Sequence, residues 1–213
     1  MNCLPHLRTW LRRVARGAWR EDRAAQIVEF AVSLPLLVVF VVGIFDFSNA
    51  FTLKQKLTNA VRDGARVAAA DPASDLSSPI SAPTSVIDAF QVVDNYLVAN
   101  NINDCGIGSS STHGTVPTTT LGLTWTYTGT TSCPPGGLTI LINRGYYFPT
   151  TGATLPSVTC TSQNPGGQTA VIGTCVSIQY AYPWRFGKVA SLLGSAASLP
   201  TQITAAAVAM NEN

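Results

Sequence analysis

AAQIVEFAVSLPLLVVFVVGIF, residues 24–45, is the stretch on which the rest of the chain depends. As a helix it is roughly 33 Å long at 1.5 Å per residue, enough to span a hydrocarbon core of about 30 Å. One carboxylate, Glu29, interrupts it. An ionised acid costs about 2.5–3.5 kcal/mol at the centre of a membrane helix, and less near an end, where Glu29 lies. Such a residue either finds a cationic partner or extends to the interface. Pro35, inside the same run, removes one backbone hydrogen bond and bends the helix, a defect that membrane helices tolerate.

The charges are distributed around this span unevenly. Arg8, Arg12, Arg13, Arg16, Arg20 and Arg23 are six of the 13 basic residues, and only Glu21 and Asp22 oppose them before the span. From Asp71 onward, Arg144, Arg185 and Lys188 face six acidic residues. Positive charge concentrated before an apolar span holds that end in the cytoplasm and sends the C-terminal bulk across the membrane. Residues 1–24 therefore read as a basic cytoplasmic leader and residues 25–46 as a transmembrane helix. Nothing on the far side is basic enough to suggest a nucleic-acid surface. Charged residues make up only 11% of the chain, well below the roughly 25% of an average soluble domain. Ser, Thr, Asn, Gly and Pro take their place, a composition suited to an extracytoplasmic surface.

Beyond the span the helical pattern continues. Leu53, Leu57, Ala60, Val61, Gly64 and Ala68 recur at helical spacing, with Lys54, Lys56, Arg62, Asp63 and Arg66 largely elsewhere. Residues 47–70 thus read as a stem, making one helix of roughly 69 Å from Ala25 to Ala70. Gly64 costs about 1 kcal/mol relative to Ala inside a helix, and close packing at that point is one explanation of it. Residues 71–83 are a Pro/Ser linker, with Pro72, Pro79 and Pro83 as breakers. A short second helix follows, with Ser85 and Asp88 spaced as a capping box. Its buried stripe is Val86, Phe90, Val93 and Leu97, and Asn100-Asn101 end it.

The period then changes to two. LGLTWTYT (from Leu121) and GLTILINRGYYF flank CPPGG as a hairpin. Val176, Ile178, Tyr180, Tyr182 and Trp184 alternate with polar or small residues, as on one half-buried antiparallel strand. A last strand is expected at Gln202–Met210. The Thr/Ser-rich stretches Ser109–Thr120 and Tyr127–Ser132 read as exposed loops. The expected fold class is α+β: a long N-terminal transmembrane and stem helix, a short second helix, and a small antiparallel sheet forming an extracytoplasmic head over residues 84–213.

Cys3 stands alone in the leader, whereas Cys105, Cys133, Cys160 and Cys175 form an even set in the head. In an oxidising compartment such a set makes two disulfides. Of three possible pairings, proximity favours Cys105–Cys133 and Cys160–Cys175. No metal site is expected, because no C-x-x-C spacing occurs and both histidines are isolated. His113 lies in an STHG segment. With no phosphate-binding glycine motif, no G-x-S-x-G and no paired carboxylates, no catalytic residue, cofactor or small-molecule substrate is expected.

Two resemblances bear on these features. A basic leader, a small residue before a cut, and a Glu at the fifth position of the mature chain resemble pilin-type precursors. Counting back from Glu29 places that cut between Ala24 and Ala25. The new α-amino group would pair with the Glu of a neighbouring subunit, joining two otherwise costly charges. More specifically, Val28–Ala31, Leu34–Leu37, Asp46-Phe47, Leu57–Ala60, Arg62 and Gly64–Arg66 resemble the N-terminal signature of TadE-like proteins. ITAAAVAMNEN also resembles the way such chains end. The resemblance covers roughly 55 of the 213 residues. It implies a minor pilin-like subunit of a tight-adherence pilus, a substrate of a prepilin peptidase in the inner membrane, and assembly with other pilin-like subunits and pilus assembly proteins through Glu29, Phe30 and Pro35. Two positions depart from the family pattern: Ala24, where Gly is commoner, and Asn211, where the family closes on Arg. An alternative is an uncleaved, membrane-anchored periplasmic scaffold or binding protein. A third reading, secretion after a signal-peptide cut behind Ala50, leaves Glu29 without a purpose.

Overall fold

The computed structural model describes residues 5–77, 82–108, 123–149, 159–160, 170–185, 187 and 199–212. Cys3, the start of the first expected strand at Leu121, and the Ser109–Thr120 stretch with His113 lie outside them. Helix α1 runs Pro5–Ala70 and α2 Thr84–Ala99, with a short 3₁₀ turn at Ala73–Ser77 between them. Four strands follow: β1 Thr124–Gly129, β2 Leu138–Pro149, β3 Ala170–Ala181 and β4 Gln202–Met210. They form one antiparallel sheet in the order β1-β2-β3-β4. This is the α+β class read from the sequence. The chain divides into two units, Met1–Phe47 and Ser48–Asn213.

In the second unit the expected stripes become one core. Leu57, Ala60, Val61, Ala65 and Ala68 of α1 are buried, as are Val86, Ala89, Phe90, Val93 and Leu97 of α2. They cluster with Trp125, Tyr127, Leu138, Ile140, Ile142, Val176, Ile178, Tyr180, Ile203 and Ala205 from alternate positions of the four strands. Each large aliphatic side chain so buried contributes about 1.5–3 kcal/mol. Gly64 lies where the helices touch: a Cβ there would sit 2.6 Å from Val93 Cγ2 and 3.3 Å from the Ala89 carbonyl. Close packing therefore explains this glycine.

The C-terminal end of α2 follows the expectation and its N-terminal end does not. Asn101 takes a left-handed φ of 56°, and the Ile102 N–H donates to Leu97 O at 2.9 Å, the closure of a helix by an αL residue. At the start, Pro83 occupies the N-cap position and offers no side-chain cap. Ser85 is buried inside the helix, its hydroxyl without a partner. The Ser85 N–H instead donates to Asp75 Oδ2 at 3.0 Å. The capping box is thus replaced by a carboxylate from the 3₁₀ turn, which the expected linker folds to supply. An anion beside a helix N-terminus is favourable for the same reason as a capping Asp.

Two strand expectations also need correction. Tyr127 and Gly129 are buried in β1, so the loop expected at Tyr127–Ser132 begins only at residue 130; Gly136 and Gly137 turn it, with φ of 107° and 57°. The alternation from Val176 to Trp184 is not a single half-buried strand. β3 ends at Ala181, and Ser177 and Ala181 are buried along with the apolar face. β3 lies between two neighbours, and its second face is covered too: Tyr146, Cys160 and Cys175 form a smaller cluster with Leu141 and Val208. Tyr182 and Trp184, past the strand end, meet edge to face with ring centroids 4.9 Å apart.

Both expected disulfides form. Cys105–Cys133 has a Cα separation of 5.3 Å and Cys160–Cys175 one of 5.6 Å. Closing loops of 28 and 15 residues, each stabilises by about 3 kcal/mol in the chain-entropy account.

Candidate functional site: the apolar helix and its carboxylate

Between residues 25 and 47 the large apolar side chains face outward, with Val39 partly covered. Ile27, Val28, Phe30, Val32, Leu36, Leu37, Phe40, Ile44 and Phe45 are all exposed, Ile27 at 69% and Ile44 at 68%. Among the described residues this is the one helix long and apolar enough to cross a membrane. Exposed apolar surface on this scale is tolerated only against lipid or other apolar helices.

Glu29 and Phe30 are both exposed on this surface. Among the described residues no ion pair to Glu29 is seen; Arg66 and Asp63 pair on the stem at 3.8 Å. Pro35 lies within the helix without ending it. Two residues earlier, Ser33 Oγ donates to the Phe30 carbonyl at 3.3 Å. The bond between Ala24 and Ala25 also falls inside α1. The sequence-predicted assembly residues Glu29, Phe30 and Pro35 thus share one exposed segment, and the four head cysteines form a separate, structural set.

Arg144 has a role that sequence reasoning missed. It is fully buried, at an irregularity of β2 where the register shifts between Asn143 and Tyr146. Its Nη1 donates to the Ala68 carbonyl and, at 3.0 Å, to Thr174 Oγ1. Its Nη2 donates to Asp71 O at 3.1 Å. These carbonyls close the C-terminal end of α1, where backbone acceptors lack helical partners and a cation is favoured. The Glu212 N–H donates to the next carbonyl, Ala69 O, at 3.0 Å. Asn211 completes the arrangement, accepting from Thr174 Oγ1 at 2.7 Å and donating to Arg144 O at 3.3 Å. Burial lowers the guanidinium pKa, and the Asp75 and Asp71 carboxylates act against that shift. The available signal was a single Arg in an otherwise apolar alternation, TILINRG, at an inward-facing position.

Among the described residues no group of three or more His, Cys, Asp or Glu gathers to hold a metal. The described chain so far is a long helix whose apolar segment, residues 24–45, bears one carboxylate, with a disulfide-bonded α+β unit after it. Residues 24–66 match the family model described as TadE-like protein, the region in which the sequence resemblance lies. No curated protein and no solved structure matches the chain.

Proposed function

We propose that this chain is a minor pilin-like subunit that enters a tight-adherence pilus, or a related secretion apparatus, through its first helix. The reading rests on one observation: an outward-facing apolar helix with a lone carboxylate at Glu29, five residues after Ala24. In this account the basic leader stays in the cytoplasm, the helix spans the inner membrane, and the head lies outside it. A prepilin peptidase cuts between Ala24 and Ala25. The α-amino group of Ala25 then pairs with Glu29 of a neighbouring subunit, so that each charge compensates the other in lipid. Phe30 and the Pro35 bend shape the helix surface along which subunits pack. The family match over residues 24–66 supports this reading.

Glu29→Val tests it. The variant keeps its apolar span and inserts normally, but its recovery with other pilus subunits from native membranes falls at least about tenfold, as expected for loss of a charge pair of roughly 1.4 kcal/mol or more. Recovery equal to that of the unaltered chain would remove the charge-pairing role. One observation favours the second reading, an uncleaved anchor with a scaffolding head: Ala24 stands at the cut, where the family more often has Gly.

A further inference from the structure

The two disulfides are unequal in their surroundings. Cys160 and Cys175 are 1% and 0% exposed and belong to a buried cluster with Tyr146. Cys105 is equally buried, at 1%, but its partner Cys133 lies on the turn between β1 and β2 and is only partly covered. Several contacts around Cys105–Cys133 join the segment after α2 to that turn and to the end of β1. The Thr131 N–H donates to Cys105 O at 3.0 Å, and Asn103 Nδ2 donates to Ser132 O at 2.7 Å. Gly129 lies so near that a Cβ on it would meet Cys105 O at 2.8 Å and Ile107 Cβ at 3.1 Å. Cys105 and Ser132 hold left-handed φ values of 56° and 58°, as Cys160 of the other bond does at 47°, so the two bonds differ in covering and not in backbone conformation.

We propose that Cys105–Cys133 is a redox-sensitive clasp: a dithiol reductant opens it in the folded protein and releases residues 101–108 from the end of β1, while Cys160–Cys175 stays closed. The attacking thiolate approaches from the side of the partly covered residue Cys133 and bonds to its Sγ, the sulfur–sulfur bond breaks, and Cys105 leaves as a thiolate that takes a proton from water. The second thiol of the reductant then displaces Cys133 as a thiolate, which is protonated in turn. The reductant leaves as its disulfide, and two electrons have passed to the protein. The Cys160–Cys175 sulfurs offer no such approach, because access limits exchange. The inference rests on burial and contacts within the head and is independent of pilus assembly.

The test treats the full-length protein in detergent with graded dithiothreitol under native conditions, then traps thiols with an alkylating agent and maps them peptide by peptide. Cys105 and Cys133 are expected to be alkylated at least about tenfold faster than Cys160 and Cys175, in keeping with access-controlled exchange. Amide hydrogen exchange at residues 101–108 is expected to rise on reduction, while α2, β2 and β3 stay protected. Equal rates at the two disulfides, or Cys160–Cys175 opening first, would overturn the proposal. So would an unchanged exchange pattern at 101–108 after reduction. The double variant Cys105→Ser, Cys133→Ser separates a clasp from a staple: it reproduces the local exchange if the bond is a clasp, whereas loss of protection throughout the head contradicts one.

Discussion

Arg144 and Tyr127 show how much single side chains carry in this head. Replacing Arg144 with Met keeps most of the volume but leaves Ala68 O and Asp71 O without their buried donor. That variant is expected to lose about 3 kcal/mol of stability, read as a lower urea midpoint for the detergent-solubilised chain with an unchanged slope. Tyr127 stacks on Phe90 with centroids 4.1 Å apart, while its hydroxyl is buried with no hydrogen-bond partner. Burial pushes that hydroxyl up to about 12. The unfolded tyrosine ionises from about pH 10, while the folded one keeps its proton to about 12. The unfolded state therefore binds fewer protons across this window, and stability falls as pH rises through it. The loss reaches about 2–3 kcal/mol by the upper end. Tyr127→Phe keeps the stack, is neutral or slightly stabilising at pH 7, and flattens part of the alkaline decline. Unfolding curves at pH 8 and pH 11 check both halves, and an equally steep decline in the variant would place the titrating group elsewhere.

At the scale of elements, the close approach at Gly64 sets a prediction opposite to helix propensity. Ala should gain up to about 1 kcal/mol on propensity, yet its Cβ would overlap Val93 Cγ2 and press on the Ala89 carbonyl. Overpacking of this kind costs about 1–3 kcal/mol. Gly64→Ala is therefore expected to lower the thermal midpoint, and a rise would mean that α2 shifts freely. The elements themselves were legible wherever their signal is local. The helical stripes at Leu57–Ala68 and Val86–Leu97, the helix end at Asn100-Asn101, the CPPGG turn and the last strand at Gln202–Met210 all follow from periodicity or turn chemistry. What was illegible depends on a distant partner. The cap of α2 comes from Asp75, ten residues before Ser85, and nothing in the spacing of Ser85 and Asp88 reveals it. The burial of Ser177 follows from the position of β3 between β2 and β4, which alternation along one strand does not encode. Arg144 was hidden for the same reason, because its acceptors lie on Ala68 of α1, on Asp71 just past it and on Thr174 of β3, and its neighbour Asn211 follows β4.

The whole molecule joins two parts that meet opposite demands. Residues 25–47 of the first unit present apolar surface outward and need lipid or neighbouring helices. The second unit turns its apolar residues inward and is held by a core, two disulfides and the Arg144 arrangement at the end of α1. At this scale the charge asymmetry read from the sequence and the exposed helix support the same proposal, a membrane-inserted subunit whose fate is decided at Ala24-Ala25. Of the candidate site, the sequence made the segment and its odd carboxylate legible. The proposed processing step is placed only by counting back from Glu29 to Ala24. The direct test is the N-terminus and intact mass of the protein purified from membranes of its native host. The account predicts a chain beginning at Ala25; a chain still carrying Met1, or one beginning at Phe51, would contradict it.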